Sequence, residues 1–172
     1  MGAAGLGVLT VEKKPLRLYN ILLPIWMLVW WPSWLWLLLI PGNYLIDALV
    51  FRRSLRGRED AAELCRKHTW KLCLAGFAAD FFGASLMLFT VYAADTSREL
   101  TYALAYAPFS HAGALAVTVL AVALAGLLIF LLDRFLLKKA GLDGGQAKRS
   151  ALWLALVTAP YLFLFPSGLL YR

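Results

Sequence analysis

Leu16–Phe51, LRLYNILLPIWMLVWWPSWLWLLLIPGNYLIDALVF, is an almost wholly apolar run, broken at its middle by Trp30-Trp31-Pro32-Ser33-Trp34. One membrane helix needs about 20 apolar residues. The run is therefore too long for one span and slightly short for two. Whether it crosses once or doubles back decides which side of a membrane everything downstream occupies.

The whole chain leans the same way. Its 172 residues are 62% hydrophobic and include seven Trp, and its mean hydropathy is +0.71. A soluble domain of this size would have too few polar residues to cover its surface. The expectation is an all-α integral membrane protein, one domain over 1–172, built as a bundle of about five transmembrane helices. The N-terminal MGAAGLGVLTVEKK has no long apolar core and does not read as a secretory signal. Leu6 stands where myristoylation would want Ser or Thr.

The spans fall at about 16–31, 34–51, 70–94, 112–137 and 151–170. Lys13, Lys14 and Arg17 precede the first. Arg52, Arg53, Arg56, Arg58, Arg66, Lys67 and Lys71 follow the second, and only Arg98 lies between the third and fourth. Arg134, Lys138, Lys139, Lys148 and Arg149 surround the next junction. If 16–51 crosses twice, fifteen of the seventeen basic residues share one side. Positive charge near span ends prefers the cytoplasmic side, so the first two spans are read as a tight helical hairpin.

That reading places the chain in the plasma membrane, N-terminus in the cytoplasm and C-terminus outside. The Trp cluster suits an interfacial tip, and Pro32-Ser33 supplies a helix break followed by a start signal. Each arm is only about 24–27 Å long at 1.5 Å per residue. Either the bilayer thins or the hairpin is re-entrant. Both return the chain to the cytoplasm, and two true spans are preferred.

The net charge of +7 sits in short runs beside apolar segments, the pattern of topology signals and not of nucleic-acid binding. Arg52, Arg53, Arg56 and Arg58 are read as basic anchors on anionic lipid headgroups. Asp60-Ala61-Ala62-Glu63 resembles a capping box, which starts the third helix near Ala61 and carries it to Ala94. Glu63 and Lys67 make a favourable i,i+4 pair. The loop 95–111 suggests a short interfacial helix with Tyr102 and Tyr106 one turn apart. Gly141-Leu142-Asp143-Gly144-Gly145 reads as the clearest flexible turn, and the fifth span should kink at Pro160 and Pro166.

Asp80, near the middle of the third span, is the most informative polar residue, because a carboxylate at mid-membrane needs compensation. Ala75, Ala79 and Gly83 form a small-residue stripe suited to close helix packing. Asp80 is then either a hydrogen-bonded packing residue or an ion or proton site. Asn43 and Asp47 share a face of the second span. Pro41 frees the carbonyl of Leu37 nearby, so these oxygens are candidate cation ligands. An ordinary salt bridge from Asp47 to Arg52 or Arg134 is the preferred reading. Asn20 with Pro24 repeats the idea in the first arm. Asp133-Arg134 is read as a helix-end boundary pair, and His111 as an interfacial histidine.

Cys65, His68 and Cys73 lack a fourth ligand and a paired CxxC, so no metal is expected. A disulfide between Cys65 and Cys73 is not expected in a reducing compartment. No phosphate loop, HExxH or GxSxG is present. No catalytic residue or cofactor is therefore assigned. The first functional expectation is an ion or small-solute channel or transporter, acting as a homo-oligomer because five helices leave little room for a pore. The alternative is a non-catalytic accessory or regulatory subunit of another membrane protein. An intramembrane enzyme has least in its favour. A membrane-impermeant label applied outside the cell should fail to reach the segment around Arg56; labelling there would overturn the layout.

Overall fold

The computed structural model describes residues 26–27, 36–93 and 97–171. Apart from Trp26 and Met27, the expected first arm over 16–31, the Trp-rich tip and Asn20 lie outside the described residues. Among the described residues the chain is all helix and turn, with no strand. Five α-helices follow one another: α1 Trp36–Ser54, α2 Ala61–Ala93, α3 Arg98–Tyr106, α4 Ala112–Lys139 and α5 Gly144–Thr158. Short 3₁₀ turns cover Pro108–Ser110, Tyr161–Leu164 and Ser167–Tyr171.

Two of these helices are long and apolar enough to cross a membrane. Ala61–Tyr92 has a mean hydropathy of 1.8, and Ala112–Lys139 one of 2.9. At 1.5 Å per residue α2 is about 50 Å long and α4 about 42 Å, both more than the ~30 Å of a hydrocarbon core. They run antiparallel through three apolar layers. At one end Phe51, Leu55, Leu72, Leu137 and Leu154 pack the end of α1, the start of α2, the end of α4 and α5. Ala79, Ile129 and Ala155 form a middle layer. At the far end Met87, Leu104, Ala114, Ala121 and Phe163 pack together with Trp26, whose indole N–H donates to the Leu104 carbonyl at 3.0 Å.

Small residues set the spacing of α2 and α4. A Cβ added at Gly83 would lie 3.1 Å from the Ala121 carbonyl oxygen, 3.2 Å from Ala125 Cβ and 3.2 Å from the Phe163 ring. Ala75 and Ala79 are buried on the same helix. A side chain at position 83 would hold the two backbones apart.

The first layer also brings charged ends together. Ser54 and Ser150 touch Oγ to Oγ at 2.8 Å, and Arg58 donates to the Gln146 side chain at 2.9 Å. The groups Arg52–Lys67, Lys138–Lys139 and Lys148–Arg149 therefore share one end of the bundle, while Arg98 lies at the other. This is the grouping that the charge rule requires of those segments.

Three junctions differ from the sequence reading. Asp60 does not close a capping box. Its carboxylate takes Arg58 at 2.7 and 2.6 Å, and that guanidinium holds the Asp60 carboxyl below its usual range. Glu63 is likewise held low, chiefly by its hydrogen bond from Lys67.

The glycine-rich junction after α4 is capped on both sides rather than loose. Gly141 sits at φ +90°, its N–H donating to Lys138 while that of Leu142 donates to Leu137. This is a Schellman end, with Leu142 packed beside Leu137. Asp143 then caps α5, accepting from the N–H groups of Gly145 and Gln146 at 3.0 and 3.2 Å.

The segment 151–170 is not one kinked helix. Pro160 forces Ala159 into extended backbone, φ −54° and ψ 148°, and α5 stops at Thr158.

Gly83 and Gly76 lie on the same helix, but nothing lies within 4 Å of a Cβ added at Gly76. Gly76→Ala should raise stability in detergent by about 0.5–1 kcal/mol, the helix-propensity gain. Gly83→Ala should lower it in spite of the same gain. Thermal unfolding of the pair, showing opposite signs, checks the close approach.

Candidate functional site

The packing that unites α1, α2 and α4 carries three carboxylates inward. Asp47 is 5% exposed and Asp133 1%; Asp80 is half-buried as a residue, with its Oδ1 fully enclosed. Asp47 acts electrostatically on both Asp80 and Asp133. The thiol of Cys73 hydrogen-bonds to the Asp47 carboxylate. Cys73 and Asp80 are two turns apart on α2 and so share a face.

What distinguishes this centre is unmet hydrogen-bonding capacity. The buried hydroxyls all find partners: Thr69 donates to the Cys65 carbonyl at 2.7 Å, Thr118 to Ala114 at 2.8 Å and Ser167 to Ala105 at 3.1 Å, and Ser150 accepts from Ser54 at 2.8 Å. Among the described residues the enclosed side-chain atoms without a partner are Asp80 Oδ1, Asp133 Oδ1 and Arg134 Nε. A carboxylate held away from water needs a donor, a cation or a proton. The two ion pairs among the described residues, Arg58–Asp60 and Lys67–Glu63, lie elsewhere.

Two sequence expectations are corrected here. The preferred partner of Asp47 was Arg52 or Arg134, yet no ion pair joins it to either; Asp47 turns into the interior and meets Cys73. Asp133-Arg134 is not a boundary pair. α4 continues to Lys139, about 9 Å further along the axis, and leaves Asp133 enclosed. The signal was present in the sequence. Thr118, Ala121, Ala125, Ile129 and Leu137 are buried at three- and four-residue spacing on α4, and Asp133 completes that stripe.

The remaining candidates scatter. Asn43 is half-buried one turn before Asp47. Leu37, whose carbonyl Pro41 frees, is 77% exposed, and Pro41 is exposed as well. That carbonyl does not join the carboxylates. His111 caps α4, its Nδ1 accepting from the Gly113 N–H at 3.0 Å. His68 is held below its usual range, first by burial and then by Lys71 and Lys67. Among the described residues no three His, Cys, Asp or Glu side chains are placed to hold a metal ion.

Two cavities border the helices without touching the carboxylates. One, of about 510 Å³, is an apolar groove between α4 and α5 that includes Gly126, Phe130, Leu156 and Ala159. The other, of about 460 Å³, lies at the α1–α2 turn among arginines. No family model matches the chain, and no curated protein or solved structure does either.

Neutralising the carboxylates should therefore stabilise the fold. Asp133→Asn and Asp80→Asn are each expected to raise stability at pH 8 by about 1–3 kcal/mol, because a neutral amide is cheaper to enclose than an unpaired carboxylate. Either substitution combined with Asp47→Asn should gain less than the sum, because the sites couple. Thermal unfolding of the purified chain in detergent reads both effects; a fall in the midpoint would mean the carboxylates are already compensated.

Proposed function

We propose that the chain is an integral membrane protein of the plasma membrane, N-terminus in the cytoplasm, that takes a proton or small cation onto Asp47, Asp80 and Asp133. The observation that carries this reading is the pair of enclosed carboxylate oxygens, on Asp80 and Asp133, without a partner. Native interiors rarely leave such groups unmatched, and in a membrane segment an enclosed acid belongs by default to an ion or proton path. Coupling through Asp47 means that charge gained or lost at one acid is felt at the others. A proton or cation would be passed from one acid to another and not held by the three at once.

The chemistry asked of the protein is modest. Asp47, with its Cys73 hydrogen bond, and Asp133 each lie one turn inside the basic-end layer, before Phe51 and Leu137, and are the first acids a cation from that side would meet. Asp80 holds the charge deeper, beside the middle layer of Ala79 and Ile129, on a helix long enough to cross a bilayer. A single bundle of this size leaves little space for water, so passage is expected of an oligomer. The apolar groove between α4 and α5 favours a second reading, an accessory subunit whose groove receives a helix of another membrane protein. Mass measurement in mild detergent separates a homo-oligomer from a mixed complex.

The direct test is flux. In reconstituted vesicles carrying an internal pH dye, with K⁺ or Na⁺ gradients imposed in turn, the native chain should dissipate at least one gradient. Asp80→Asn should abolish that flux and Asp80→Glu should restore part of it. Unchanged flux in Asp80→Asn would remove the carboxylate from the mechanism.

A further inference from the structure

The α1–α2 turn carries more structure than a topology signal requires. Along the outward face of α1, Leu45 and Leu49 are 59% and 60% exposed. Arg52 and Arg53 follow Leu49 at three and four residues, and Arg56 follows them by the same step, so one ridge passes from apolar to cationic. All three arginines are exposed. Beyond them the backbone reverses at Gly57, φ +92°, and opens a groove of about 460 Å³ lined by Leu49, Arg52, Arg53, Leu55, Arg56 and Arg58.

The charges in this groove are not equivalent. Arg58 is committed, to Asp60 through two nitrogens and to Gln146 through a third. Arg52, Arg53 and Arg56 make no ion pair among the described residues. The groove therefore offers three uncompensated guanidinium groups beside an apolar wall, with a fourth fixed at its rim. A free anion would use only the charged half. An amphiphile with an anionic head and hydrocarbon tails matches both halves.

We infer that the groove at the α1–α2 turn binds one anionic phospholipid, its phosphate held by Arg52, Arg53 and Arg56 and its chains laid along Leu49 and Leu45. The inference rests on the membrane reading but not on the carboxylate centre. Arginine suits the role because its planar fork grips a phosphate through two parallel hydrogen bonds, which lysine does not reproduce. Retaining positive charge in the cytoplasm, or complementing the C-terminal dipole of α1, needs charge alone. Arg→Lys replacement separates the two roles.

The test uses the full chain in dodecyl maltoside and the fluorescence anisotropy of labelled short-chain phosphatidylglycerol, with phosphatidylcholine of equal chain length for comparison. Phosphatidylglycerol should bind about tenfold tighter, the scale of a few charge-assisted hydrogen bonds. R52Q/R53Q/R56Q should erase the preference, and R52K/R53K/R56K should lose most of it. K148Q/R149Q removes two charges from the same end of the bundle outside the groove and should leave the preference intact. R56Q alone, at the exposed turn, should weaken binding about threefold with unchanged helicity, and it decides the matter if the triple variants do not fold. Equal binding of the two lipids, an equal loss in K148Q/R149Q, or full retention in the lysine variant would each overturn the site. Displacement by inorganic phosphate at matching concentration would overturn the lipid as its ligand. Binding is read here in detergent without any flux measurement, so the two readings fail separately.

Discussion

The structure depends on one junction, the buried contact of four helix ends around Phe51, Leu55, Leu137 and Leu154, closed by the Ser54–Ser150 contact. Helices that long and that apolar cannot be oriented by their apolar surface alone, because one apolar face packs about as well as another. A polar contact inside an apolar layer has fewer alternatives. It fixes the rotation of α1 and α5 about their axes, and the rotation of α1 decides where Asp47 points. With the Schellman end at Gly141 and the Asp143 cap, the junction also sets how α5 leaves α4. The rest of the bundle is built upward from there, with small residues on α2 and α4 letting the two long helices close.

Helical phase then explains why the acids are enclosed. Asp133 lies on the buried stripe of α4 and has no freedom to face away without turning Ile129 and Leu137 outward. Asp80 is held by the neighbouring small residues, since rotating α2 would bring a bulkier face against Ala121 and Ala125. Apolar packing at three separate levels thus holds carboxylates that none of those levels needs. A leucine at 133 would satisfy the same stripe without an orphan oxygen. That excess over what packing requires is the reason for a functional reading of these residues.

Much of this was legible beforehand. The helical class, the start of α2 at Ala61, the short helix with its paired tyrosines and the grouping of basic ends all follow from period, charge and punctuation. Asp80 stood out because it interrupts a long apolar run. Asp133 did not, because an Asp-Arg pair near the end of an apolar segment looks like an ordinary boundary. Only the continuation of α4 to Lys139 shows that the boundary is a turn and a half away. The partner of Asp47 was unreadable for a different reason: Arg52 is its neighbour in sequence, while Cys73 becomes one only through the antiparallel packing of α1 and α2. The glycine-rich turn misled by composition, since Gly141 serves a cap and Asp143 opens the next helix.

The two proposed sites bear on each other through charge. Arg52 lies five residues past Asp47 on the same helix, about 8 Å along its axis, comparable to the screening length at physiological salt. The unpaired guanidinium groups of Arg52, Arg53 and Arg56 oppose the approach of any cation from the basic end. Their field thus hinders arrival. A phosphate seated among them would cancel part of that field and ease entry while leaving the deeper Asp80 unchanged. Occupancy of the groove would then tune access to Asp47 without any movement of the helices, and the composition of the surrounding lipid would enter the behaviour of the carboxylate centre through electrostatics alone.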